Sequence, residues 1–193
     1  WSSDVCSSDL ISMATVTLKG NECNLAGNEI SVGAVAPQVT VVASEGLADK
    51  VVGGASDNVQ VIVVVPSLDT PVCAAETRKF NAEAASISGA EVTVVSMDLP
   101  FAAGRFCEAE GIDNLTVTSD FRNKEFANNY GVLLADGPLA GITCRAVFVV
   151  NKDGRVTYKQ IVPEVTDEPD YGAALAAVTS AGSLGVSCCG SCQ

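Results

Sequence analysis

The sequence predicts an α/β protein built on a mixed β-sheet flanked by helices, and three observations carry that prediction. Residues 59–65 (VQVIVVV) and 92–97 (VTVVSM) are near-continuous β-branched runs, the mark of strands buried on both faces. Between and after them lie stretches whose apolar residues recur at helical spacing. Near the end, two strand-like runs, 145–150 and 155–162, flank the turn Lys152-Asp153-Gly154.

Taken in order, residues 15–19 and 29–32 read as an N-terminal hairpin around Gly27-Asn28, and 39–43 as a third short strand. The strand at 59–65 is ended by Pro66. A helix is expected over 72–87, with Val72, Ala75, Phe80, Ala84 and Ile87 roughly along one face. The strand at 92–97 leads to a short helix, 102–110, a strand, 115–118, and a helix, 122–130. After the second hairpin, 171–181 closes the domain as a helix. Strands alternating with helices and then a hairpin make the thioredoxin-like order. At 193 residues the chain can build one domain, expected over 13–182.

Two flanking segments stand apart. Residues 1–12 (WSSDVCSSDLIS) lack a basic start and a long apolar stretch, and they precede Met13. They read as a leader foreign to the fold, Cys6 included. A secretory signal is not expected, and a cytoplasmic location is. Residues 183–193 (SLGVSCCGSCQ) are too rich in Gly, Ser and Cys to pack a core and are expected to form a flexible tail.

Composition excludes several functions. A formal charge of −12, with no basic stripe, argues against general nucleic-acid binding. The longest apolar stretch, 59–66, is far too short for a membrane span. The chain has no histidine, so Cys-His and Ser-His nucleophile pairs and His-ligated zinc or haem are ruled out, and no cofactor is expected. It does have eight cysteines, scattered at 6, 23, 73, 107, 144, 188, 189 and 192 rather than set in a dense disulfide framework.

The segment 66–73 (PSLDTPVC) is the most informative. A buried strand ends at Pro66, Thr70 suits an N-cap, Pro71 falls at N1 and Cys73 at N3. The sulfur would then lie among unpaired N–H groups at the positive end of a helix dipole, which favours thiolate over thiol. A cysteine alone would read as a buried structural residue; its place behind Thr-Pro after a buried strand favours chemistry. Arg145 alone would read as a strand-end arginine.

Thr70-x-x-Cys73 resembles the active-site motif of the peroxiredoxins. The wider string SLDTPVC with Arg78-Lys79-Phe80-Asn81 resembles their bacterial thiol peroxidase branch, the atypical two-cysteine enzymes. So do Asp98-Leu99-Pro100-Phe101-Ala102, Arg105-Phe106-Cys107, Phe121-Arg122-Asn123, Ala135-Asp136-Gly137-Pro138-Leu139 and Glu168-Pro169-Asp170-Tyr171. The resemblance runs from about residue 15 to 181 in one register. It implies a thioredoxin-like fold, a homodimer to which Phe121 and Arg122 contribute, a hydroperoxide substrate, and thioredoxin as reductant. Pro66, Thr70 and Cys73 would surround the peroxide, with Arg145 beside the sulfur. Attack would leave Cys73 as a sulfenic acid, which the family's second cysteine, here Cys107, would resolve as an intrachain disulfide. In the reduced fold the two sulfurs should be too far apart to bond, so local unwinding is expected.

The remaining cysteines say less. Cys23 is expected in an N-terminal loop, and Cys144 reads as structural, although its neighbour Arg145 leaves a place near the active site open. The tail holds a C-x-x-C, Cys189 to Cys192, outside any strand-to-helix setting, so an accessory thiol role, a soft-metal site and no role all stay open. A second class of function rests on that tail: a redox sensor or metal buffer for which the fold is only a carrier.

Overall fold

The computed structural model describes residues 14–183 apart from Ser86 and Ser88. The leader, with Cys6, and the tail cysteines Cys188, Cys189 and Cys192 lie outside the described residues. The chain opens with β1 (Thr15–Leu18) and β2 (Asn21–Ala26), then β3 (Val39–Ala43), β4 (Asp49–Val52) and β5 (Val59–Val64). Next come α1 (Pro71–Ala84), β6 (Ala90–Ser96), α2 (Pro100–Glu110), β7 (Thr116–Ser119) and α3 (Glu125–Asn129). It ends with β8 (Leu133–Leu134), β9 (Ala146–Val150), β10 (Val156–Ile161) and α4 (Tyr171–Ser183).

Seven strands form one mixed sheet in the order β10-β9-β5-β6-β7-β3-β4, and a small sheet, β1-β2-β8, lies apart from it. The β5–β6 and β6–β7 pairs are parallel, whereas β9 runs antiparallel to β5. All of β5 is buried, as its Val/Ile run, broken only by Gln60, requires. Each such buried side chain contributes roughly 1.5–3 kcal/mol over exposure. Alternate residues supply two cores. Val59, Val61 and Val63 join Phe80, Ala103 and Val178 on the face covered by α1, α2 and α4. Ile62 and Val64 join Phe126, Tyr130 and Leu25 on the face covered by α3 and the small sheet.

Three expectations are corrected. The N-terminal hairpin turns at Lys19-Gly20, not Gly27-Asn28, and pairs Thr15–Leu18 with residues 21–24. Both turn residues have positive φ, 52° and 79°, the geometry of a tight two-residue hairpin. Residues 29–32 form no strand, and Cys23 lies within β2 rather than in a loop. Gly27 marks a close approach instead: a Cβ there would lie 2.3 Å from the carbonyl oxygen of Asn128, and the Asn28 N–H donates to that same oxygen. The expected helix 122–130 shrinks to Glu125–Asn129. Lys124 sits in the left-handed region, and the Asp120 carboxylate accepts the N–H groups of Phe126 and Ala127, so the helix can only begin after that turn.

Candidate active site

The loop between β5 and α1 is positioned by Asp98, just after β6. Its carboxylate accepts the Ser67 hydroxyl and the Leu68 N–H, each at 2.7 Å. Thr70 takes the N-cap position with extended backbone, and Pro71 occupies the first turn. The Thr70 hydroxyl makes no cap of its own; it donates to the Ser67 carbonyl at 3.0 Å. Cys73 is therefore held in the first turn of a 14-residue helix and is fully buried.

Arg145 immediately precedes β9. Its neighbours in the strand alternate, Cys144 and Ala146 toward one core and Val147 toward the other. The arginine is itself 2% exposed, and its donors spread over three partners. Nε donates to the Val165 carbonyl at 3.0 Å, Nη1 to Glu76, and Nη2 to the Cys73 sulfur at 3.2 Å. A planar fork satisfied at three points has little freedom to leave the sulfur. Glu76 lies one helical turn after Cys73, so both project from the same face of α1. Burial pushes its carboxyl up to about 7 against the opposing pull of Arg145. Its Oε1 has no hydrogen-bond partner among the described residues.

Above this cluster opens a groove of about 580 Å³, to which Pro66, Thr70 and Arg145 all contribute. Leu18, Leu139 and Val165 make its wall apolar. The far lip is the β1–β2 turn. The Glu164 carboxylate pins it by accepting the Lys19 and Gly20 N–H groups at 2.9 and 3.1 Å, which draw its pKa down to about 2. Of the expected residues, Pro66, Thr70, Cys73 and Arg145 thus come together, and Cys107 does not.

Cys107 lies near the end of α2, half-buried, in a separate hollow of about 480 Å³ shared with Ser44, Thr116 and Val117. Burial pushes its thiol up, with Asp113 and Glu108 adding to the rise and a hydrogen bond to Ser44 opposing it. Both it and Cys73 are free thiols. Their surroundings differ, Cys107 opening onto its own hollow and Arg145, the partner of Cys73, onto the apolar groove, and the two sulfurs are not bonded. Cys144 faces the opposite core from Cys73, where burial pushes its thiol up to about 12. Glu76 escaped the sequence reading because a mid-helix glutamate ordinarily faces water; its i+3 spacing from Cys73 was the available signal.

A thioredoxin-type fold with a buried cysteine in a helix's first turn and an arginine on its sulfur defines a thiol redox protein. The redoxin family model matches residues 31–175. The thiol peroxidase of Aquifex aeolicus is 57% identical over 157 residues, 81% of this chain and 92% of that protein. That of Campylobacter jejuni is 52% identical, covering 93% and 98%. Among solved structures, a peroxiredoxin-like protein from Aquifex aeolicus superposes with a TM-score of 0.84 at 54% identity, covering 88% and 98%. The thiol peroxidase from Chromobacterium violaceum shares the fold, with a TM-score of 0.78 at 21% identity over 87% and 97% of the two chains. The chain belongs to the peroxiredoxin family, in its bacterial thiol peroxidase branch, and is a peroxidase of that type. No described helix is long and apolar enough to cross a membrane.

Proposed function

We propose that the protein reduces hydroperoxides through Cys73 and resolves the product through Cys107. The observation that carries this reading is the Arg145 guanidinium donating to the buried Cys73 sulfur at 3.2 Å, with Arg145 itself lining a groove shared with Pro66 and Thr70. The sulfur of Cys73 attacks the terminal peroxide oxygen; the S–O bond forms as the O–O bond breaks, and the departing alkoxide takes up a proton to leave as alcohol or water. Arg145 cannot lose its proton, so it holds the thiolate and stabilises charge spreading over the peroxide oxygens. The Thr70 hydroxyl orients the incoming peroxide. The Cys73 sulfenic acid then condenses with Cys107, releasing water and leaving an intrachain disulfide for thioredoxin to reduce.

The apolar wall of Leu18, Leu139 and Val165 supports organic hydroperoxides as substrates alongside hydrogen peroxide, since it offers cover for an alkyl tail. The protein acts in the cytoplasm as an antioxidant and pairs as a homodimer. Exposed Phe101, Leu99 and Phe121, with Arg122 close over the Phe121 ring, support an interface there. The test is a peroxide assay coupled to thioredoxin. Wild type should turn over, Cys73→Ser should be inactive, and a chain lacking residues 184–193 should keep its rate. Turnover by Cys73→Ser would sink the reading, and loss of turnover in the shortened chain would shift the function to the tail.

A further inference from the structure

The two helices that carry the cysteines are bridged at one end by side chains of α1, and Asn81 makes most of the bonds. Asn81 lies eight residues after Cys73 on α1, and its amide reaches the segment that ends α2. Its Nδ2 donates to the Gly111 carbonyl at 3.3 Å, and its Oδ1 accepts the N–H groups of Asp113 at 3.1 Å and Asn114 at 2.9 Å. One turn earlier, Arg78 pairs with Glu110, the last residue of α2, at 2.7 Å. The held segment is the helix terminus over Cys107: Gly111 caps α2 in the left-handed conformation, and the N–H groups of Gly111 and Ile112 both close onto the Cys107 carbonyl. At the other end, Asp98 already ties the start of α2 to the active-site loop.

Cys107 must therefore leave a helix end that Asn81 fastens to the helix bearing its partner. We propose that Asn81 is a positioning residue for resolution, a latch whose three hydrogen bonds set how often the last turn of α2 opens. This rests on the reading of Cys107 as the resolving thiol. The latch governs a branch point at the sulfenic acid. With the turn open, Cys107 displaces water from the Cys73 sulfenic acid and the S–S bond forms. With the turn closed, a second peroxide converts the Cys73 sulfenic acid to sulfinic acid and leaves as alcohol or water. The first attack on peroxide precedes this branch and does not involve Asn81.

Asn81→Ala keeps a good helix former at a partly exposed site but removes all three bonds. Three solvent-exposed bonds, each at the low end of ordinary net strength, together hold opening back about tenfold, so their loss should speed it by about that factor. Quenched-flow alkylation with mass spectrometry would follow the Cys73–Cys107 disulfide and the Cys73 sulfinate in wild type, Asn81→Ala and Asn81→Asp. In Asn81→Ala, peroxide consumption in the first turnover should be unchanged. Its disulfide should form about tenfold faster, and half-inactivation should need about tenfold more peroxide. Asn81→Asp keeps the acceptor for both amides and should stay within about twofold of wild type. Should Asn81→Ala not fold, Asn81→Ser, too short to reach the segment, carries the same test. Wild-type disulfide rates and sulfinate yields in the short variants would overturn the latch, as would equal acceleration by Asp and Ala. If the wild-type disulfide joins Cys73 to a thiol other than Cys107, the resolution reading falls and the latch falls with it.

Discussion

Replacing Glu76 by Gln removes a buried ionisable group while keeping its shape and an acceptor for Arg145. In the folded protein this carboxyl titrates near 7 rather than at 4.5, with burial as the main cause and Arg145 pulling the other way. Between those values the unfolded chain gives up a proton that the folded chain keeps. The folded state therefore loses stability as pH rises through the window, and the loss is complete above the folded value. At about 1.4 kcal/mol per tenfold, the gap is worth about 3 kcal/mol. Urea unfolding of the reduced proteins from about pH 4 to about pH 8.5 should show it as a difference between wild type and Glu76→Gln. Wild type should fall by about 3 kcal/mol relative to the variant, mostly between about pH 4.5 and 7. A difference independent of pH would mean that Arg145 keeps Glu76 ionised throughout, and the reasoning would be refuted. Glu76→Ala should be less stable than Gln at every pH, because it strips a buried guanidinium of its carboxylate and acceptor, a loss of about 3–5 kcal/mol.

Arg145→Lys should lower kcat/KM for peroxide by about a hundredfold or more while a cooperative melt persists, since an ammonium cannot reproduce the three-way fork; unchanged turnover removes Arg145 from the mechanism. Cys107→Ser should consume about one peroxide per chain and stall, with excess peroxide giving the sulfinate mass. Sustained thioredoxin-dependent turnover by that variant would assign resolution to another thiol. Cys144→Ala should cost about 1 kcal/mol and leave the peroxidase rate intact, because its thiol is sealed in the opposite core; a large loss of rate contradicts this placement. For Glu164, whose pKa falls to about 2, the stabilisation is present above the unfolded value near 4.5 and fades as pH drops toward 2. Glu164→Gln should lose that acid-side dependence and raise KM for bulky organic hydroperoxides more than for hydrogen peroxide; equal shifts would mean that the lip does not shape the groove.

Much of the fold was legible because its central strands are sealed. β5 and β6 read as near-continuous Val-rich runs, and Thr70-Pro71 marks the start of α1. The misreadings have local causes. The segment 21–26 is half polar, so β2 carries no strong strand pattern, and Gly27-Asn28 competes with Lys19-Gly20 as a turn. β4 is a four-residue edge strand with only one buried position, too short to announce itself. At the site, the linear motif carried Pro66, Thr70 and Cys73. Arg145 lies 72 residues from Cys73, and only a family resemblance could bring it there from sequence. Glu76 was hidden for a different reason: its burial depends on an arginine from a distant strand covering it.

The central sheet also has a consequence for where oxidation can go. Cys73 and Cys107 pack on the side of α1, α2 and α4, while Cys23 and Cys144 pack on the other. Cys23 and Cys144 are themselves sealed in that second core, so a sulfur freed by unwinding either cysteine-bearing helix end still meets no exposed thiol there. A sulfenic acid formed at Cys73 is thereby quarantined with one described thiol. Scrambling into a disulfide with Cys23 or Cys144 would require opening the core in which both are buried. Such mispaired peptides should appear only after global unfolding, which makes them a chemical clock for the sheet itself.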